Sequence, residues 1–195
     1  MIRRSALLGQ EEDNETWLNV LLCVLVVIFA FLLFTKYFWL QPIEVEGSSM
    51  NMTLYTRDVV LMDKLAKPQR GDVVIVKVTE STRYIKRLIG LPGDRIYSDE
   101  EGFVYRVTDG VTTRLDEPYA YFLFGYKKGT YKDRDYRTFD VTLSSDEIFV
   151  MGDNRWNSND SRARVNQFKY ESILGVVHQW VIDERYSLGW IYQYI

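Results

Sequence analysis

A chain of 195 residues has room for one membrane segment and one sizeable domain. Its 24 basic and 27 acidic residues give a net charge of -3, so no strongly basic face is implied and nucleic acid is not an expected partner. One cysteine, Cys23, excludes an intrachain disulfide, and one histidine, His178, leaves little for a His-based triad or a zinc site, so no metal or cofactor is expected.

The first element is apolar. Val20 to Phe34 carries no charge and no proline. Extended by Trp17 and Leu18 before it and the aromatic run Tyr37-Phe38-Trp39 after it, the span reaches roughly 20 residues, the length that crosses a bilayer core. Trp17 and the second aromatic group read as interfacial anchors. A cleaved signal would need a shorter apolar core and small residues at the cut, and this stretch ends in Phe, Lys and Tyr. A core helix would show a polar face, and this one shows none. Arg3 and Arg4 precede the span, with Glu11, Glu12, Asp13 and Glu15 after them, and Lys36 follows it, which favours a cytoplasmic N-terminus by two cations to one. The expected organisation is a cytoplasmic tail over 1–16, a transmembrane anchor over 17–40 and an extracytoplasmic domain over 41–195.

Beyond Glu44 the pattern changes to short β-branched runs broken by turns. Strands are expected at Arg57–Met62, Asp72–Val78, Arg83–Leu91, Asp146–Met151 and Ile173–Ile182, with a hairpin over Ile96–Val107 around Gly102. Pro68–Asp72 and Leu91–Asp94 supply turns between them. His178 alternates with Val176 and Trp180 in the last run and reads as an ordinary strand histidine without an obvious partner. The fold class is mainly β: a folded-over or barrel-like antiparallel domain behind one N-terminal transmembrane helix. Tyr119–Arg137 interrupts the rhythm and reads as a solvated excursion, with a substrate or lipid contact as the alternative.

Three stretches carry candidate chemistry. In Glu46-Gly47-Ser48-Ser49-Met50 the glycine allows a sharp turn beside a serine. A serine hydroxyl is a poor nucleophile unless a base takes its proton, and such serines are commonly plain turn residues. In Tyr84-Ile85-Lys86-Arg87-Leu88-Ile89-Gly90, Lys86 shares one strand face with Tyr84 and Leu88, and Arg87 shares the other with Ile85 and Ile89. If both faces are covered, one of these cations is poorly solvated. The lysine is the one able to lose its charge and act as a base; an edge-strand lysine in water is the alternative. The third stretch, Gly152 to Arg162, is almost wholly polar and follows an apolar strand. It can lock itself with side-chain-to-backbone bonds and an Asp–Arg pair, and it lacks the glycine and closing glutamate of a calcium loop.

Taken together and in this order, the stretches resemble the type I signal peptidase family, with its Ser–Lys chemistry. Gly47-Ser48-Ser49-Met50 with Thr53-Leu54 is similar to the family's nucleophile motif, and Gly71-Asp72-Val73-Val74 to its short second motif. Tyr84–Gly90 with Pro92-Gly93-Asp94 resembles the lysine motif, and Gly152-Asp153-Asn154-Arg155 with Asn157-Ser158 and Asp160-Ser161-Arg162 the closing motif. The resemblance implies a membrane-bound serine endopeptidase that cuts signal peptides through an acyl-enzyme. It makes Ser49 the nucleophile, Lys86 the general base, Ser158 a hydroxyl that helps orient the lysine, and Asp160 with Arg162 a supporting ion pair. Gly47 falls where some members place a serine of the oxyanion hole, leaving the Ser49 N–H as a donor. Met50 and Tyr84 are assigned to the substrate pocket. Met52 stands where the family usually has proline, which suggests a looser turn after the nucleophile. Trp156 replaces a commonly polar residue, and Ala163–Asn166 lacks an aromatic-Gly pair.

The partners implied are signal-peptide-bearing precursors and the lipid bilayer, with association with the secretion machinery left open. A maturation peptidase for pilus or surface subunits and a non-catalytic membrane-tethered β scaffold remain alternatives. A self-cleaving repressor-type peptidase would be soluble, against the Val20–Phe34 span.

Overall fold

A continuous apolar run without Pro or Gly has only its own backbone to satisfy its N–H and C=O groups in lipid, and it forms a helix. The computed structural model describes residues 2–35, 39–120, 138–163 and 168–185, and the chain divides into two compact units, residues 1–40 and 41–195. The first unit is built on α1 (Ile2–Phe34), of which Thr16–Phe34 has a mean hydropathy of 2.9. Those 19 residues extend about 28 Å at 1.5 Å per residue. Trp17, Val27 and Phe29 all lie exposed on it, as a lipid-facing helix requires. This segment is a candidate membrane anchor. Tyr37 and Phe38 of the expected second aromatic belt lie outside the described residues.

Beyond α1 the chain holds two antiparallel sheets. Strands β1 (Leu40–Glu44), β2 (Val59–Asp63), β3 (Val73–Lys77), β4 (Arg83–Gly90), β9 (Phe149–Met151) and β10 (Ile173–Val177) form a six-stranded sheet in the order β1-β2-β10-β3-β4-β9. Strands β5 (Arg95–Ser98), β6 (Val104–Thr108), β7 (Val111–Arg114) and β8 (Asp140–Thr142) form a four-stranded sheet in the order β7-β6-β5-β8. The expected hairpin around Gly102 is the β5–β6 pair, in which Tyr97 faces Tyr105 and the two rings stack 5.0 Å apart. The mainly β reading holds.

Strand β3 shows why the large sheet is covered on both faces. Its first four residues, Val73 to Val76, are all buried. Val73 and Ile75 pack with Met50, Leu54, Val60 and Val181, whereas Val74 and Val76 pack with Leu88, Val150 and Phe168. The period of two thus divides one strand between two cores. A third cluster joins the sheets: Ile89, Phe149 and Met151 from the first meet Ile96, Val104 and Val141 from the second.

The last expected strand is corrected. The run Ile173–Ile182 ends as a strand at Val177 and turns into α2 (Gln179–Asp183). His178 is the residue that precedes this helix rather than a strand position, and its Nε2 lies 3.0 Å from Asp63 Oδ2 on β2. The Val-rich alternation continues through residue 182, but burial of Val181 and Ile182 from a helical turn satisfies the same apolar demand. Of the Tyr119–Arg137 segment, residues 121–137 lie outside the described residues.

Candidate active site

The site grows out of the register of β3 and β4. Val74 faces Lys86 and Val73 faces Arg87. Both cations are buried, at 3% and 6% exposure, so the strand solves its two-cation problem differently on each face.

Arg87 is neutralised in place. Its Nε donates to Asp153 Oδ1 at 2.8 Å, Nη2 to Asp153 Oδ2 at 2.5 Å, and Nη1 to the Gly71 carbonyl at 2.8 Å. The guanidinium also lies 3.9 Å from the centroid of the Tyr119 ring. Burial, ahead of the carboxylate of Glu117, pushes the Tyr119 phenol up to about 12.

Among the described residues, no carboxylate is bonded to Lys86. Its Nζ donates to Ser49 Oγ at 2.7 Å and to the Ile85 carbonyl at 2.9 Å, and lies 5.0 Å from the centroid of the Tyr84 ring. Burial lowers its pKa from 10.5 to about 8. Asp160 and Asp153 oppose that shift through their charge and Arg162 reinforces it. The two candidates found in the sequence therefore meet, 37 residues apart in the chain.

The Gly152–Arg162 loop holds the serine turn from the other side. Asn154 donates its backbone N–H to the Ser49 carbonyl at 3.0 Å and its side-chain amide to the Ser48 carbonyl at 2.9 Å. Asn157 Nδ2 donates to Ser48 Oγ at 2.9 Å. Further along the turn, Thr53 Oγ1 donates to Asp153 Oδ2 at 2.6 Å. The loop is itself locked by Asp160, which accepts from the Gly152 N–H at 2.9 Å and is paired with Arg162 through two 2.9 Å bonds. Burial works to raise the Asp160 carboxyl, and the charge of Arg162 with hydrogen bonds from Arg162, Gly152 and Ser158 overrides it and lowers the pKa. Ser158 helps to lower the Asp160 carboxyl, while the bonds described for Lys86 go to Ser49 and Ile85.

Gly152 is where the loop and the turn approach most closely. A Cβ there would stand 2.3 Å from Ser158 Oγ and 2.4 Å from the Ser49 carbonyl oxygen, with backbone on one side that cannot swing away. Gly152→Ala is expected to lower stability by about 1–3 kcal/mol, as overpacking does. It is also expected to displace the serine, with turnover falling more than the melting temperature explains. Thermal denaturation alongside cleavage assays at a temperature well below the transition checks both.

A cleft of about 760 Å³ opens over this pair. Ile43, Glu46, Gly47, Met50, Tyr84 and Asn159 contribute to its walls. Gly47 has φ +88° with open space where a Cβ would lie, so the turn demands glycine for its backbone and not for want of room. Met52 takes φ +81°, a conformation closed to the proline ring, and the turn is tied by Thr53 and Leu54 N–H bonds to the Met50 carbonyl at 3.0 and 2.8 Å. The turn is therefore tied by its own hydrogen bonds rather than loose.

A model of the family described as "Signal peptidase, peptidase S26" matches residues 17–182. The chain belongs to this family. It is a serine peptidase, a hydrolase. It is 33% identical over 168 residues to "Signal peptidase I P" of Bacillus subtilis subsp. natto, covering 82% of this chain and 84% of that one. It is 35% identical over 158 residues to "Signal peptidase I U" of Bacillus subtilis (strain 168), covering 77% and 80%. A crystal structure of a signal peptidase I from Enterococcus faecalis V583 is 33% identical, covers 58% of this chain and 98% of its own, and superposes with a TM-score of 0.43.

Several contacts of this peptidase's site escaped the sequence reading. Asn154 and Asn157 carry no local signal of their bonds to Ser48 and Ser49, since those partners lie 105 to 109 positions away. The Arg155–Glu117 pair, closed at 2.5 Å and buried on both sides, is likewise invisible before folding.

Proposed function

We propose that this peptidase removes signal peptides from exported precursors with Ser49 as nucleophile and Lys86 as general base. The observation that carries the reading is the 2.7 Å approach of a buried lysine amine to a serine hydroxyl in the wall of the cleft. The precursor's residues before the cut lie in the cleft as an extended strand. Met50 and Tyr84 border the space for their small side chains. Neutral Lys86 takes the Ser49 proton as Ser49 Oγ bonds to the scissile carbonyl carbon. The leaving amine takes that proton back, an acyl-enzyme remains, and water activated by the same lysine releases the signal peptide. Asp160 and Arg162 hold the loop against which the serine turn rests, and Ser158 lies on that loop.

In this reading residues 17–40 anchor the chain in the bilayer, residues 1–16 stay cytoplasmic, and residues 41–195 work on the other side, where precursors emerge from the secretion machinery. Arg3 and Arg4 against Lys36 support that orientation. The test is incubation of detergent-solubilised protein with a panel of secretory precursors, followed by sequencing of the new N-termini. The expected result is a cut after small residues one and three positions before the bond, lost in Ser49→Ala. Intact precursors throughout, or cleavage that survives Ser49→Ala, would refute the assignment.

A further inference from the structure

Attack by Ser49 places negative charge on the substrate's carbonyl oxygen. Such an oxygen is stabilised by donors already aimed at it, and one donor is rarely the whole arrangement. The Ser49 N–H has no acceptor among the described residues, while its carbonyl is fixed by Asn154, so this peptide unit offers one donor.

The next hydroxyl along the chain is the candidate for a second. Ser48 is half-buried and lines the cleft. Its carbonyl is held by Asn154 Nδ2 at 2.9 Å and by the Asn51 N–H at 3.1 Å, so its backbone is fixed from two directions. Its Oγ accepts from Asn157 Nδ2 at 2.9 Å. A serine hydroxyl has one proton to give and two lone pairs to receive with. With one lone pair taken by the amide, the proton points away from Asn157, and no acceptor for it exists among the described residues.

The neighbouring hydroxyls are committed elsewhere. Thr53 donates to Asp153 at 2.6 Å and Thr56 to the Gly47 carbonyl at 3.1 Å. Ser48 is the hydroxyl of this turn that keeps a proton for something in the cleft. We propose that Ser48 is a catalytic residue, donating to the oxyanion formed on attack by Ser49, and that Asn157 is the positioning residue that orients its hydroxyl. The proposal rests on the Ser49–Lys86 reading above.

In the step it serves, Ser49 Oγ bonds to the carbonyl carbon and the carbonyl π pair moves onto oxygen. The Ser49 proton passes to Lys86 Nζ. The Ser49 N–H and the Ser48 O–H donate to the new oxyanion without being consumed. When the pair returns, the C–N bond breaks and Lys86 returns the proton to the amine.

Steady-state cleavage of a signal-type peptide and binding of a peptidyl boronic acid, which forms a tetrahedral adduct on a serine, test this in the full chain. Ser48→Ala is expected to lower kcat by about 10²-fold with KM within about twofold, and to weaken the boronate by a similar factor. Ser48→Thr, which keeps the hydroxyl, is expected to retain most of both. Asn157→Leu leaves Ser48 in place and is expected to lower kcat and boronate affinity together, which keeps the test open should Ser48→Ala fail to fold. Wild-type kcat in Ser48→Ala, a loss confined to KM, or a fall in kcat without weaker boronate binding would overturn the role of Ser48 while leaving the dyad reading intact. A wild-type chain that neither cuts the peptide nor takes up the boronate removes both.

Discussion

Lys86→Met is expected to reduce precursor cleavage by about 10³- to 10⁴-fold while making the protein more stable. The first half follows from the loss of the only base within reach of Ser49 Oγ among the described bonds. The second follows from linkage. Burial holds the Lys86 amine at about 8 against 10.5. That gap is worth about 3 kcal/mol of disfavoured ammonium at roughly 1.36 kcal/mol per pH unit. A group whose folded pKa lies below its unfolded value binds fewer protons when folded, so the cost is full below about pH 8 and fades as pH rises toward 10.5. Methionine fills a similar volume without a charge to bury, and a net gain of about 1–3 kcal/mol is expected near pH 7 after the lost hydrogen bonds are counted. The same value sets the catalytic profile: kcat/KM is expected to climb about tenfold per pH unit below about 8 and to level above it, as the neutral amine becomes the main form. Thermal melts at pH 7 and 10 and a pH–rate series check the two halves. A Lys86→Met protein that melts lower than wild type at pH 7 would contradict the burial argument.

Asp153→Ala is expected to be the most damaging single change in the second unit, costing about 3–5 kcal/mol. The carboxylate is fully buried and the side chain of its partner Arg87 is 7% exposed, so truncation leaves a guanidinium charge in the core with, among the described contacts, the Gly71 carbonyl and the Tyr119 face beside it. It also releases Thr53, and with it the far end of the serine turn. Activity is therefore expected to fall further than stability alone accounts for. Replacing both members, Arg87→Met with Asp153→Leu, removes the charge together with its partner and is expected to recover a large part of the stability but not the turnover. Urea denaturation of the two single variants and the double variant closes the cycle. Equal destabilisation in the single and double variants would show that Thr53 or packing, and not the orphaned cation, dominates.

What the sequence made legible depended on how local the physics was. The apolar helix was readable because hydrophobicity over 19 residues needs no partner to interpret. Strands β3 and β4 were readable because their β-branched runs sit between turn residues, and Gly71 and Gly93 do take the positive φ of +96° and +87° that such turns use. Strands β1, β7 and β8 gave no comparable signal. β1 contains a proline, β7 is exposed at all four positions, and β8 is three residues long, so tertiary pairing rather than pattern makes them strands. At the site, alternation on β4 correctly separated Lys86 from Arg87. It did not reveal that both would be buried, because the answer for Arg87 was Asp153, 66 positions later. His178 was misplaced for a similar reason: period-two hydrophobicity does not distinguish a strand from a strand that ends in one helical turn.

The long sequence separation within the site bears on how the protein is made. Ser49 and Lys86 are 37 positions apart, and the amides that hold Ser48 arrive more than 100 positions after it. A ribosome that has produced the serine and lysine segments has still not produced Asn154, Asp160 or Arg162. Until those residues have been made, the serine turn lacks both the amides that hold it and the locked loop on which it rests.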